Sequence, residues 1–98
     1  RKEDSIVLIL IPRFPIGRLV ATPAAIEAAP KEVLLGFLHR HISCDWGDVT
    51  EKDAKANNYA MWHEQRIISC YLTADKARVF VITEADRSST TVLMADEY

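Results

Sequence analysis

The last third of the chain reads in a period of two. Ile68, Cys70 and Leu72 alternate with Ile67, Ser69 and Tyr71, and Val79, Val81 and Thr83 alternate with Phe80, Ile82 and Glu84. Thr90, Val92 and Met94 then alternate with Thr91 and Leu93. Successive side chains of a strand point to opposite faces, and β-branched residues suit that surface. The pattern predicts strands over residues 66–73, 78–84 and 89–94, paired antiparallel in chain order. Val79 and Val81 should share one face and Phe80 and Ile82 the other. The connections are the turn at Asp75-Lys76 and the polar turn Glu84-Ala85-Asp86-Arg87-Ser88.

Upstream the period lengthens. Residues 6–11 form an apolar, β-branched run ended by Pro12, which reads as a buried strand or as an arm that pairs with another subunit. Pro12, Pro15 and Gly17 enforce a loop, and Arg18-Leu19-Val20-Ala21 reads as a short strand. Thr22-Pro23 is a helix start, with Thr as N-cap and Pro at the first helical position. That helix is brief and stops near Pro30, which opens a second one. Val33, Leu34, Phe37, Leu38, His41 and Ile42 line one face of this second helix. Asp45-Trp46-Gly47-Asp48 breaks it, and Thr50-Glu51-Lys52-Asp53 starts a third helix over residues 51–64. Tyr59 and Trp62 fall at helical spacing on it and are expected in the core. The fold class is α+β: one or two N-terminal strands, three helices, then a three-stranded antiparallel meander.

A chain of 98 residues with 49% hydrophobic content is one domain with a real core. Residues 1–13 are a separable N-terminal strand or arm at most. The formal charge of −2, from 12 basic and 14 acidic residues, argues against a bulk electrostatic grip on nucleic acid. Two cysteines, Cys44 and Cys70, are too few for a disulfide scaffold and read as reduced thiols of a cytoplasmic protein. The apolar run at residues 6–11 has no small-residue cleavage site and is too short to span a bilayer, so neither a signal peptide nor a membrane anchor is expected. A small domain of this kind is compatible with homo-oligomers.

Three segments carry a resemblance. They are Arg18-Leu19-Val20-Ala21-Thr22-Pro23, then Arg40-His41-Ile42-Ser43-Cys44-Asp45-Trp46-Gly47-Asp48, and then Val81-Ile82-Thr83-Glu84-Ala85-Asp86-Arg87-Ser88 with Thr90-Thr91-Val92-Leu93. Together they resemble small proteins carried on bacterial plasmids and integrative elements, over most of residues 14–98. The resemblance implies a mobile-element setting and no particular biochemistry. The layout, helices with a His followed by an antiparallel sheet with Arg and Thr, is similar to the barnase and bacterial-toxin ribonucleases.

Two functional classes follow. Metal-free cleavage of RNA needs a base, an acid and a cation for the phosphorane. His41 or Glu84 would be the base, Arg87 the cation, and Thr91 or Ser88 the donors. Against this, His41 lies on an apolar helix face near a C-terminus, where a structural histidine is at home. The other class is a non-enzymatic binding module or inhibitor of a host or defence protein. It would use Asp45, Trp46 and Asp48 of one loop with Glu84, Asp86, Arg87 and Ser88 of the polar turn. A loop Trp is an interface anchor or a lid on the core edge, and the 84–88 turn is a binding site or a solvated hairpin with an internal ion pair. Asp45, Asp48, Glu51 and Asp53 are capping and dipole chemistry, or an acidic patch that imitates phosphates. His39, His41, Cys44, His63 and Cys70 lack the spacing of a zinc site, and Cys70 with His41 is a weak catalytic pair. No cofactor or metal is expected. The binding module is the preferred reading, with a protein partner; RNA belongs only to the ribonuclease reading.

Overall fold

The computed structural model describes residues 11–98. Its elements are β1 (Arg18–Ala21), α1 (Pro23–Ala28), α2 (Lys31–Ile42), α3 (Glu51–His63), β2 (Ile67–Leu72), β3 (Arg78–Thr83) and β4 (Ser89–Met94), ending in a 3₁₀ turn at Ala95–Glu97. The fold is α+β, as the two periodicities require. Residues 6–10 of the apolar N-terminal run lie outside the described residues, and Ile11 is exposed.

The caps read from the sequence are in place. Thr22 Oγ1 accepts from the Ala25 amide at 3.2 Å, and Thr50 Oγ1 accepts from the Asp53 amide at 3.0 Å. The strands β2, β3 and β4 form the expected meander, with Val81 opposite Ser69 on one side and Val92 on the other. The sheet is nevertheless mixed. Its order is β1-β4-β3-β2, and β1 lies parallel to β4 with Leu19 opposite Thr90. All three helices lie between β1 and the meander in the chain, and β1 runs beside β4 in the same direction as that last strand.

The helix-facing side of the sheet carries the core. Val79, Val81 and Val92 pack with Tyr71 against Ala25, Ala29, Leu34 and Phe37. Phe37 stacks on Tyr71 with ring centroids 5.1 Å apart. A second cluster joins Phe14, Trp46, Ala60 and Ile67 where α3 meets the N-terminal loop. Phe80 and Ile82 take the opposite face, where the Tyr98 ring meets Phe80 edge-on at 5.6 Å.

Candidate functional site

His41 is fully enclosed. It projects from the last turn of α2 onto the sheet, between the edges of Phe14 and Trp46, whose centroids lie 5.3 and 5.9 Å away. Its Nδ1 is 2.6 Å from Ser69 Oγ on β2 and its Nε2 is 2.9 Å from Thr83 Oγ1 on β3. Thr83 Oγ1 is 2.7 Å from Thr90 Oγ1 on β4, and Thr90 donates to the Ile16 carbonyl at 2.8 Å. Donor accounting fixes the protons. Thr90 gives its only proton to Ile16, so Thr83 must donate to Thr90. Thr83 therefore accepts from His41 Nε2–H, and Nδ1 accepts from Ser69. The ring is neutral, and burial pulls its pKa down to about 4. This is a closed polar thread tying α2 to three strands, and it keeps His41 out of reach of a substrate.

The other members proposed for RNA cleavage do not converge on it. Glu84 pairs with Arg66 at 3.2 Å. Thr91 opposes Ile82, on the face of the sheet away from Thr83 and Thr90. Arg87 has a left-handed backbone, φ 62°, and its guanidinium turns inward. It donates to the carbonyls of Ala60 and Gln65, both at 2.7 Å, and to those of Glu84 and Ala85 at 3.1 and 3.3 Å. The expected internal ion pair of the turn is thus replaced. Among the described residues Arg87 meets backbone carbonyls, not the Glu84 or Asp86 carboxylate, and it closes the C-terminal end of α3, where a cation also suits the helix dipole. Asp86 instead accepts from the Ser88 amide at 2.9 Å, and its carboxyl is held below the usual range by Ser88.

The 45–48 loop is built into the sheet. The Trp46 carbonyl accepts from the Cys70 amide at 3.1 Å, and the Asp48 amide donates to the Cys70 carbonyl at 2.7 Å. Gly47, at φ 77°, crosses β2 so closely that a Cβ would stand 2.1 Å from the Cys70 carbonyl oxygen. Trp46 is 6% exposed and donates from Nε1 to Asn58 at 3.0 Å. It covers the core edge. Asp45 pairs with Arg40 at 2.7 Å, which holds its carboxyl below the ordinary value, and Asp48 pairs with Arg78 at 3.3 Å. Cys44 and Cys70 keep their protons because burial pushes both thiols up. Among the described residues no group of His, Cys, Asp and Glu is placed to hold a metal ion, and no helix is long and apolar enough to cross a membrane.

The surface between these two segments belongs to α3, and here the sequence reading is corrected. Tyr59 and Trp62 are not core residues: they are 54% and 80% exposed. The helix buries Asn57 and Ala60 instead. Asn57 acts as a surrogate strand, donating to the Ile68 carbonyl at 2.8 Å and accepting from its amide at 3.1 Å. That choice turns Lys52, Lys55, Tyr59, Trp62 and His63 outward as one helical stripe. Tyr59 and His63 stack with centroids 3.8 Å apart, leaving the Trp62 indole beside a preformed aromatic pair. The weak apolar periodicity of residues 51–63 was the available sign that α3 buries no broad aromatic face.

A groove of about 630 Å³ runs along the other flank of α3, floored by Ile68, Cys70 and Phe80 and walled by Asp48, Asp53, Arg66, Arg78 and Tyr98. Its arginines are matched by Glu84 and Asp48, so among the described residues it offers no unpaired cation to a phosphate. No protein-family model, curated protein or solved structure matches this chain.

Proposed function

We propose that the chain is a non-enzymatic protein-binding module of a mobile element, acting on a host or defence protein through the outward stripe of α3. The observation that carries this reading is Trp62: a large indole, 80% exposed, on the ordered helix α3 whose own packing does not use it. Trp and Tyr are the residues that most often dominate binding energy at protein interfaces. Tyr59, Trp62 and His63 have the i, i+3, i+4 spacing with which a helix enters an apolar groove. Lys52 and Lys55 continue the stripe toward the helix start, with Lys55 paired to Glu51 at 3.4 Å. Asp48 and Glu84, Asp86 and Ser88 flank the two ends of α3 and form a polar border. Asp45, Trp46 and Arg87 serve by holding that border in place.

The ribonuclease reading is weaker because its four candidate groups do different structural tasks on different faces. A capture experiment in a bacterial host separates the classes. Tagged wild-type protein, Trp62→Ala and the surface control His39→Ala are recovered, and the bound proteins are quantified. One partner should appear with wild type and control and be lost with Trp62→Ala. A parallel incubation with RNA in the presence of a chelator should give no cleavage. RNA cleavage that disappears in Glu84→Gln overturns the proposal, as does equal partner recovery by Trp62→Ala.

A further inference from the structure

The two edges of the sheet are finished differently. The β2 edge is closed by Asn57 and by the 45–48 loop, which take up the outward amides and carbonyls of Ile68 and Cys70. The β1 edge carries no such cover among the described residues. In a parallel ladder alternate residues bond to one neighbour. The Arg18 amide donates to the Ser88 carbonyl and the Thr22 amide to the Val92 carbonyl, so Arg18, Val20 and Thr22 serve β4. The amides and carbonyls of Leu19 and Ala21 therefore point outward. Leu19 is 45% exposed, and Val20 and Ile26 are exposed too. An apolar groove of about 270 Å³, lined by Leu19, Ala21, Ile26, Leu34, Leu35 and Leu38 among others, opens beside this edge on the helix-facing side. An uncovered apolar edge strand is a template for strand addition.

We propose that the occupant is a second copy of this chain, paired antiparallel through β1 about a two-fold axis at Val20. Only this centring uses every open group. Leu19 then faces Ala21 of the other copy, and each such pair exchanges two N–H···O=C bonds, which satisfies both outward residues of both protomers. Leu19 of one copy comes to lie beside Ala21 of the other, at the mouth of its apolar groove. Arg18 of one copy falls opposite Thr22 of the other. The Thr22 hydroxyl is bound to the Glu97 carboxylate at 2.8 Å, so the incoming guanidinium meets an acidic group. An isologous contact of this kind closes at two copies and merges the two four-stranded sheets into one of eight.

The test is light scattering on the full-length chain, with three variants. Wild type should have twice the chain mass. Leu19→Lys should run at single-chain mass while keeping the wild-type circular dichroism, because Leu19 is 45% exposed and a lysine can lay its stem along the groove with its ammonium in solvent. Val20 pairs with itself as a non-hydrogen-bonded pair, with Cα atoms about 4.5 Å apart, inside the range a disulfide spans. Val20→Cys, carried with Cys44→Ser, should therefore cross-link to a covalent dimer under mild oxidation. A wild type that stays at single-chain mass at the highest soluble concentration overturns the proposal. So does a dimer that resists Leu19→Lys and fails to cross-link through Val20→Cys. A dimer that dissociates only when residues 1–10 are deleted overturns it in favour of the N-terminal segment as occupant.

Discussion

The chain has two tryptophans, and they sit in opposite circumstances. Trp46 comes from a loop, yet its ring is buried against Phe14 and His41 and its indole N–H is satisfied by Asn58. Trp62 comes from the middle of a helix turn, yet it stands in solvent. Element type does not decide burial. The backbone of the 45–48 loop is hydrogen-bonded to β2, which fixes Trp46 over the core, whereas α3 is docked through the amide side chain of Asn57, which fixes Trp62 on the outside. One Trp maintains the fold; the other is left in solvent, where the proposed function uses it for binding.

The comparison breaks most visibly if Trp46 is dispensable. Trp46→Ala should cost about 3–5 kcal/mol, the usual loss for a buried indole, and lower the denaturant midpoint accordingly. The closed thread around His41 should show next, as acid sensitivity. Unfolded His41 takes up a proton near pH 6.5, whereas in the fold burial delays protonation to about pH 4. Stability is therefore full above pH 6.5 and falls as pH drops through that window, by about 3 kcal/mol in all. Urea midpoints measured at pH 7 and pH 5 should differ in wild type, and the difference should shrink in His41→Gln.

Arg87 sharpens the same boundary between fold and surface. It looks like an exposed turn residue, but its guanidinium is a cap on α3. Arg87→Ala should cost about 2 kcal/mol, through loss of charge-assisted bonds to carbonyls at the helix end, and speed amide exchange in the last turn of α3. Asn57→Ala should cost about 1–2 kcal/mol by leaving the Ile68 amide and carbonyl unpaired. The loss should show as faster exchange at the Ile68 amide, with Cys70, held by the Trp46 carbonyl, and β4 unaffected.

Local chemistry made much of this legible. Period-two spacing gave β2, β3 and β4 to within about a residue at each end, and Thr22-Pro23 and Thr50 marked two helix starts. The parallel pairing of β1 with β4 was not legible, because Leu19 and Thr90 are brought together by tertiary packing and not by any turn between them. His41 was visible as a histidine on an apolar face, but its role depends on Ser69, Thr83 and Thr90 from three different strands. Arg87 and Glu84 were read as one polar turn, whereas the fold gives Glu84 to Arg66 and Arg87 to the end of α3. Tyr59 and Trp62 were misplaced because hydrophobicity alone sends aromatics inward, and the polar Asn57 took the inner position that the edge of β2 required.

The central claim is that the exposed face of α3 is there to bind and contributes little to the fold. Trp62→Ala tests it most directly, with the denaturant midpoint and the recovered partner measured on the same preparation. The midpoint should stay within about 0.5 kcal/mol of wild type, as for a surface substitution, while the partner is lost. A variant that keeps its partner, or whose stability falls as far as that of Trp46→Ala, contradicts the account.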